Sequence, residues 1–387
     1  MKKLLFVVIM LVVVCSLFAR WNITGAGARA SGIGGAFIGV ADDATAVVWN
    51  PAGLTQLYRA EASAVSKYNY TKSELNNWDN DKSNFILEFA SVAFPFMNGK
   101  LVTALAYQRP IDLYTDFKTS SETQKDVGGA DTFTLGLAYR ILPFFSAGLS
   151  TNLWFGKLDH DYNYEVFDYS YVWDEWYNYE ETYEYEQTFS GFNMMFGGMV
   201  DLNNLDSPIP LKLGVTYRTA FDLEAEEEGL ITEETVWELG DYFYNEYETD
   251  GKVKNEMPMM LGFGTSYRIG DNLTLAFDYE TRAYGKSNIN SHEKDLNQFR
   301  VGVEYLFVTD LAVIPLRTGY QSVPTLMSDI NGDPINGTGI SFGTGLIFER
   351  FSLETAYTMI ANENDRGSSG IQKNSYMNFI FSGIFYF

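Results

Sequence analysis

Alternation of apolar and polar side chains is the feature that most restricts how this chain can fold. In the segment 273–280, LTLAFDYE, leucine or an aromatic residue occupies every second position. The same period of two recurs in 133–141, 211–221 and 299–307, where the opposite face carries small, polar or charged residues. Successive side chains of a strand point to opposite faces. The pattern therefore predicts β-strands with one strongly apolar face.

The sequence predicts fourteen strands, and the connections between them alternate in length. Short turns follow the even strands, whereas long loops follow the odd strands. This sorting is typical of an outer-membrane barrel with periplasmic termini and extracellular long loops, and a soluble sandwich has no reason to show it. The predicted strands are 58–70, 83–96, 101–115, 131–142, 145–157, 185–201, 209–223, 256–269, 273–286, 297–308, 312–324, 338–349, 351–363 and 375–387. The predicted long loops are 71–82, 116–130, 158–184, 224–255, 287–296, 325–337 and 364–374.

Both ends of the chain agree with an exported barrel. The N-terminus has two lysines, an uncharged run from Leu4 to Phe18 and then Ala19, which predicts a signal peptide over 1–19 that is cleaved near Ala19. The only cysteine, Cys15, lies in this segment, so the mature chain cannot rely on disulfides. The C-terminal YMNFIFSGIFYF resembles the signal that the outer-membrane assembly machinery reads. We expect an all-β, 14-stranded antiparallel transmembrane β-barrel over 58–387, in the bacterial outer membrane.

Charge and residue types exclude several function classes. The formal net charge of −23 argues against nucleic-acid binding, which needs a basic surface. Only His160 and His292 are present, both in predicted loops, so no histidine-based triad, metal site or cofactor is expected and the chain is not predicted to be an enzyme. Charged residues on the inner faces of strands predict instead a polar network in the lumen. They are Arg140, Arg218, Arg268, Arg300, Asp278, Glu280 and Glu304.

The segment before the first strand is rich in glycine and alanine. Its Gly25-x-Gly27-x-x-Ala30 start is close to a dinucleotide-binding fingerprint, but no βαβ pattern surrounds it. Small residues also suit a backbone that packs closely inside a barrel. We expect Asp42 or Asp43 to cap a short helix over 44–49. Asn50 then ends that helix and caps a new turn, with Pro51 at its first position.

The run ADDATAVVWNPAGL, residues 41–54, carries a resemblance to a known family. It resembles the N-terminal hatch of FadL/TodX-type outer-membrane transporters of hydrophobic compounds, and also PorV-type and other bacterial members. The resemblance implies a hatch over 20–57, with gating residues Asp42, Asp43, Asn50, Pro51 and Ala52. It also implies sideways release through a gap near the third strand, where Pro110 cannot donate to the ladder. The alternative for Pro110 is that the strand simply reaches the barrel rim there.

The resemblance leaves two functions open. A transporter would carry a hydrophobic small molecule or fatty acid passively, as a monomer in contact with outer-membrane lipid. A PorV-like barrel would instead anchor or shuttle secreted proteins without transport. An apolar cavity above the hatch would favour the first, whereas a lumen filled by side chains would favour the second or a purely structural barrel.

Two of the predicted loops carry unusual sequences. Residues 158–188 hold eight Tyr, two Trp and ten acidic residues, with no Lys or Arg, and alternate enough to continue the strands as a hairpin. They suit sugar stacking, cation capture or simple solvation, and an anionic loop would repel fatty-acid carboxylates. Residues 231–247 predict an amphipathic helix capped by Thr232, which would act as a ligand-capture surface or as a lid. The proposed capture residues are Val236, Trp237, Leu239 and Phe243.

Overall fold

The computed structural model describes residues 23–75, 78–290, 293–329, 331–365 and 370–387. The predicted signal peptide, its cleavage near Ala19 and His292 lie outside the described residues. No helix in the described ranges is long and apolar enough to cross a membrane.

One antiparallel sheet dominates the structure and closes on itself. The first strand pairs with the last, from Glu61↔Tyr386 to Leu75↔Gln372, so the sheet closes into a barrel. The strands are β1 Glu61–Leu75, β2 Trp78–Phe96, β3 Leu101–Asp112, β4 Thr115–Lys118, β5 Glu122–Leu142, β6 Phe145–Ser170, β7 Glu175–Asp201, β8 Leu211–Arg218, β9 Phe221–Trp237, β10 Tyr242–Met257, β11 Met260–Ile269, β12 Leu273–Arg282, β13 Leu296–Val308, β14 Val313–Ser328, β15 Pro334–Ile347, β16 Phe351–Asp365 and β17 Ile371–Tyr386.

These segments form fourteen barrel strands, as the sequence predicts. Three barrel strands are interrupted by two residues each, so β3 continues into β4, β8 into β9 and β10 into β11. The partners show this continuity: β7 pairs with both β8 and β9, and β5 pairs with both β3 and β4. The predicted strand count and the all-β class are therefore confirmed.

The outer face of the barrel is apolar. In β5, Phe133, Leu135 and Leu137 are exposed, while the intervening Thr134 is completely buried. Equivalent outward side chains recur on neighbouring strands, for example Phe263 on β11 and Phe277 on β12. A continuous band of this kind is stable in contact with lipid and not with water. The apolar positions of the alternating pattern therefore face lipid, and the small and polar positions face the lumen.

Several predicted loops are extensions of the strands. The predicted loops 116–130, 158–184 and 224–255 are largely strand, because β5, β6, β7, β9 and β10 run beyond the predicted limits. β6 and β7 have 26 and 27 residues, whereas a strand needs only about 9–11 to cross a membrane. The predicted hairpin extension over 158–188 is confirmed. We call this side of the barrel the long-hairpin end, and the other side the short-turn end.

The predicted helix over 231–247 is wrong. Residues 221–237 and 242–257 form the β9–β10 hairpin, and Thr232 pairs with Glu246 instead of capping a helix. The same strand also pairs with β7, for instance Tyr177↔Trp237. Hydrogen-bonded partners on both sides satisfy this backbone, so tertiary pairing overrides the weak helical spacing of the apolar residues.

The segment before β1 lies inside the barrel. It contains α1 Ala28–Gly32, α2 Ala46–Trp49 and a 3₁₀-helix Pro51–Gln56. Nearly all of its side chains are buried, and they pack against residues of the barrel wall such as Ala104 and Ala138. We call Ile23–Leu57 the plug segment. Two further 3₁₀ turns, Leu202–Asn204 and Tyr284–Lys286, lie in connections between strands.

Candidate functional site

Asn50 fixes the plug segment to the barrel wall. Its side chain is completely buried and donates to the carbonyl oxygens of Ile38 (3.0 Å) and Gly198 (3.2 Å). Its amide oxygen accepts from the backbone N–H of Ala52 (3.2 Å), so Asn50 caps the 3₁₀-helix, and Pro51 begins that helix as the sequence predicts. One side chain thereby links two parts of the plug to β7.

Glycines of the wall make room for this contact. A Cβ atom on Gly197 would lie 2.2 Å from the amide oxygen of Asn50, and one on Gly148 would lie 2.4 Å from the backbone nitrogen of Ala52. Neither distance is possible for a real side chain. The small residues on the inner faces of the strands are therefore required where the plug backbone touches the wall.

Asp42 and Asp43 have different roles from the predicted helix cap. α2 begins at Ala46, and no side chain caps it. Asp42 instead forms an ion pair with Arg29, which also pairs with Glu304 of β13 (2.9 Å). Asp43, three residues before the helix begins, accepts from the backbone N–H of Thr45 (2.9 Å). Burial raises the pKa of Asp43 to about 6, although the positive charge of Arg29 opposes this shift.

Ionic groups of the wall hold the other side of the plug. Asp278 accepts from the backbone N–H groups of Phe37 (2.7 Å) and Ile38 (2.8 Å). Arg317 lies between Glu304 (2.6 Å) and Glu354, and Arg300 lies 3.4 Å from Glu280. Both arginines are buried, which requires such partners. Of the predicted lumen network, these contacts include Asp278, Glu280, Arg300 and Glu304, and the structure adds Arg29, Arg317 and Glu354. Arg140 instead donates to the carbonyl oxygen of Thr55, Arg218 contacts the sulfur of Met195, and Arg268 is exposed.

Little open space remains around Trp49 of the plug, whereas the short-turn side of the plug borders a wide opening lined by Arg29, Asp42 and Gln56. The cavity between Trp49, Met195 and Arg300 has a volume of about 20 Å³, enough for about one water molecule. Toward the long-hairpin end an apolar cluster fills the lumen. It includes Ile23, Ile111, Leu113, Ala130, Trp154, Leu158, Phe189, Leu223, Met257, Tyr284, Ile289 and Leu296.

The barrel wall is interrupted beside this cluster. β2 pairs with β3 only between Phe89↔Gln108 and Phe96↔Leu101. The pairing of β3 with β5 also skips two residues, Arg109 and Pro110, between Gln108↔Thr132 and Ile111↔Ala130. In the described chain, β2 from Trp78 to Glu88 therefore has no backbone partner on the β3 side. We call this region the wall break; Pro110 lies within it.

Side chains bridge the wall break and connect it to the plug. The Nδ2 of Asn84 on β2 donates to Oδ2 of Asp112 on β3 (2.8 Å). Arg109 pairs with both carboxylate oxygens of Asp131 (2.7 and 2.9 Å). Gln108 donates to the carbonyl oxygen of Thr24 (2.9 Å), at the start of the plug segment. The break is thus closed by side chains where a backbone ladder would otherwise run.

The extended hairpins enclose a second cavity, of about 370 Å³, at the long-hairpin end. Of the predicted capture residues, Trp237 and Phe243 line this cavity, while Val236 and Leu239 are exposed and do not. The pairings Tyr179↔Thr235 and Phe243↔Thr235 place Thr235 between two aromatic residues. The structure therefore brings together residues of β7, β9 and β10 that are far apart in sequence.

His160 is placed differently from the prediction. It lies in β6, not in a loop, and is 1% exposed. Its Nδ1 hydrogen-bonds with Asp126, and its ring stacks on Tyr185 with 4.3 Å between the ring centres. Sequence reasoning could not find this pair, because Asp126 and His160 meet only through the register of β5 and β6. In the described ranges no group of three or more His, Cys, Asp and Glu is arranged to hold a metal ion.

Comparisons with known proteins agree on the fold. The toluene transporter TodX of P. putida superposes with a TM-score of 0.68 at 13% identity, covering 95% of this chain and 99% of that one. The toluene transporter TbuX of Ralstonia pickettii gives 0.63 at 15% identity, covering 95% and 100%. A FadL homologue of Pseudomonas aeruginosa gives 0.65 at 11%, covering 95% and 99%. Such identities establish a shared fold only.

Sequence comparison supplies the family. No curated protein sequence matches significantly. The model of the BamG family matches residues 25–382, from the plug segment to the last strand. Since that match spans nearly the whole chain, the protein belongs to the BamG family, and its fold is that of the TodX- and FadL-type barrels.

Proposed function

We propose that this protein is a bacterial outer-membrane channel for the passive passage of hydrophobic small molecules. The long-hairpin end faces the exterior and both termini face the periplasm. A solute enters between the hairpins, contacts the apolar cluster above the plug and leaves sideways through the wall break. The plug segment acts as a hatch, with Asp42, Asp43, Asn50, Pro51 and Ala52 as its hinge and anchor residues.

One observation carries this proposal: the apolar cluster reaches the wall break. Ile111 and Leu113 follow Pro110 directly and belong to the same buried cluster as Trp154 and Leu158. In this proposal an apolar solute moves along the cluster as far as Ile111, driven by burial of its apolar surface, and leaves when the polar pairs that bridge the break, Asn84–Asp112 and Arg109–Asp131, separate. The contact of Gln108 with Thr24 couples the plug to this exit.

Solved relatives of the same fold support the substrate class. The named neighbours TodX and TbuX are described as toluene transporters. Toluene and long-chain fatty acids both have a largely apolar surface, and the apolar cluster in the lumen suits either molecule. The acidic hairpins disfavour a carboxylate, so we propose a hydrophobic compound without a carboxylate as the preferred cargo.

A reversible cross-link across the wall break tests this function. Asn84→Cys and Asp112→Cys, introduced together, replace side chains whose polar atoms are 2.8 Å apart. The only native cysteine is Cys15, in the predicted signal peptide. We expect oxidation to reduce uptake of radiolabelled toluene at least ~10-fold in cells that express the barrel. Reduction should restore it.

The single variant Asn84→Cys, oxidised in the same way, is the matched control. Uptake that continues at the same rate through the cross-linked barrel would rule out the wall break as the exit. Radiolabelled oleate, measured in parallel, separates a general hydrophobic channel from one that rejects carboxylates.

The filled lumen favours a second candidate. With only about 20 Å³ open beside Trp49, a PorV-like barrel that anchors or shuttles secreted proteins needs no rearrangement of the plug. For that function neither toluene nor oleate uptake depends on the barrel. A secreted protein then copurifies with the wild-type barrel, and the hairpin tips are the surface for that contact.

A further inference from the structure

The cavity at the long-hairpin end has an aromatic lining that faces the lumen axis. Tyr179 shares its side of β7 with the buried Phe189, because the register with β9 is continuous between them. Trp237 likewise shares its side of β9 with the buried Leu223. Any solute that enters through the hairpins therefore meets these rings before it meets the apolar cluster.

The rings are spaced to accept a small group between them. Tyr179 and Phe243 flank Thr235 on adjacent strands, so their backbones are about 10 Å apart, twice the strand spacing. The ring of Trp237 is fixed by Tyr177, with 4.9 Å between the ring centres. The phenol of Tyr179 donates to Glu181 (2.9 Å), which holds that ring in place.

The polar lining consists mainly of hydrogen-bond acceptors. Glu175, Glu233 and Asp241 line the cavity, and its neutral polar side chains are Thr235 and Asn245. Within the described chain, the carboxylates of Glu175 and Asp241 have no hydrogen bond or ion pair with another side chain. Glu233 is engaged by the phenol of Tyr179 and by a long contact of 3.4 Å from Asn245.

The surrounding charge has one sign. There is no Lys or Arg in residues 158–188 or in residues 221–251, which together form most of the two hairpins. Carboxylates with no counter-charge nearby attract cations and repel anions, within the screening length of about 10 Å at 0.1 M salt. The faces of tryptophan, tyrosine and phenylalanine attract cations as well.

We propose that this cavity, which we call the entrance pocket, binds organic cations that combine a positive charge with apolar substituents, such as quaternary and alkyl ammonium groups. Rings and carboxylates both favour such a group, and a volume of about 370 Å³ holds a small ligand of this kind. The inference deepens the proposed function, on which it rests only for the direction of entry. It predicts that the channel admits cationic amphiphiles ahead of fatty acids.

Binding is measured on the full barrel, purified in a non-ionic polyoxyethylene detergent, by isothermal titration calorimetry. Choline is the cationic probe, and 3,3-dimethyl-1-butanol is its neutral isostere, in which carbon replaces the nitrogen. 3,3-Dimethylbutyrate is the anionic probe. We expect choline to bind at least ~10-fold tighter than the isostere and the anion not to bind. Raised salt should weaken choline binding.

Two variants and a control locate the site. Trp237→Leu should weaken choline binding about 10-fold because the ring face is lost. Asp241→Asn should weaken it several-fold with little change in shape. Glu234→Gln also removes one negative charge. Glu234 adjoins the pocket residue Thr235 in β9 but points to the other face of the sheet, so this variant should leave choline binding unchanged.

The outcomes separate this inference from the proposed function. Equal binding of choline and its isostere, displacement of choline by glucose, or equal effects of Asp241→Asn and Glu234→Gln would each overturn the inference. Toluene uptake that persists in a barrel without choline binding leaves the proposed function standing. Choline binding by a barrel that takes up no toluene supports the pocket and contradicts the proposed function.

Discussion

Asn50 connects more of the molecule than any other single plug residue described above. Its amide group bonds two carbonyl oxygens and one N–H group, those of the buried Ile38 and Ala52 and of the half-buried Gly198. A buried polar group left without a partner costs about 1–3 kcal/mol. The residue therefore determines whether the plug segment stays seated in the barrel, while the barrel strands keep their own ladders.

We predict that Asn50→Ala loosens the plug and leaves the barrel intact. Loss of the amide leaves up to three backbone groups unpaired, so hydrogen exchange of residues 23–57 should accelerate at least ~10-fold. Heat-modifiable migration on gels reports the barrel itself and should not change. Asn203→Ala, at an exposed position in a short turn, is the control. Failure of Asn50→Ala to insert would instead make the plug a folding element.

Substitution of a wall glycine independently tests the contact between Asn50 and the barrel wall. Gly197→Ala directs a methyl group at the amide oxygen of Asn50, whereas Gly198→Ala points to the outer face, where its nearest neighbour is Val215 at 3.1 Å. We predict faster exchange in the plug for Gly197→Ala only. Equal exchange in the two variants would show that the plug does not depend on this contact.

Asp43 makes plug docking depend on pH. Its pKa is raised from 3.8 to about 6 because it is buried, so the docked plug favours the protonated acid. Docking is therefore expected to weaken as the pH rises from about 4 to about 6, and to stay weaker above that range. Plug exchange, corrected for intrinsic rates, should be faster at pH 8 than at pH 5. Asp43→Asn should reduce the difference without abolishing it, because Glu61 and Asp278 also accept hydrogen bonds from the plug backbone. An unchanged pH dependence in this variant would contradict the assignment.

At the scale of elements, the long hairpins and the transmembrane strands are separable units. β9 and β10 pair continuously from Phe221↔Met257 to Val236↔Tyr242, and only their lower parts join the apolar cluster through Leu223, Ala225 and Met257. The upper parts are held by ladder hydrogen bonds and by side-chain contacts around the entrance pocket. Their removal costs the barrel little buried apolar surface.

We predict that deletion of Leu230–Glu248, with Gly229 joined to Thr249, leaves the barrel assembled and abolishes choline binding. Gly229 and Thr249 are directly paired, so a short turn can close the hairpin there. Far-ultraviolet circular dichroism and heat-modifiable migration check assembly, and calorimetry checks choline binding. Choline binding that survives this deletion would place the site elsewhere.

The sequence predicts the strands in which one face meets lipid and the other face meets the lumen. Lipid outside and the lumen inside force alternation, which is why all fourteen strands are found. Above the membrane both faces of a strand meet water, so alternation weakens. The sequence still predicts the hairpin extension of β6 and β7, but not that of β9 and β10. The spacing of Val236, Leu239 and Phe243 resembles that of a helix. The pairing with β7 overrides this local pattern, and nothing in the local sequence indicates that pairing.

Residues of the candidate site could be predicted from the sequence where their type restricts the backbone or its hydrogen bonds. Pro110 lacks an N–H group, and Asn50 and Pro51 suit a cap, so their positions could be anticipated. The partners could not, because the contacts of Asn50 with Gly198, Gln108 with Thr24 and His160 with Asp126 depend on barrel register and plug path. These are set only when the barrel closes.

At the scale of the whole molecule, the distribution of charge and chain ends gives the barrel two unlike ends. The C-terminus lies at the short-turn end, where the N–H of Phe387 donates to the carbonyl of Ala60 (2.9 Å). The opposite end carries the acidic, aromatic hairpins and the entrance pocket. Barrels of this kind place short turns and termini in the periplasm. The proposed direction of entry depends on this orientation.

Cysteine labelling tests the orientation directly. Leu239→Cys lies at the exposed tip of β9–β10, and Asn203→Cys lies in an exposed turn at the other end. With Cys15 in the predicted signal peptide, the mature chain offers no competing thiol. A membrane-impermeant maleimide applied to intact cells should label Leu239→Cys within minutes. It should label Asn203→Cys only after the outer membrane is permeabilised, because the lipid-embedded wall and the seated plug block its path. The reverse pattern would place the entrance pocket on the periplasmic side and make its ligands products of the cell instead of solutes from outside.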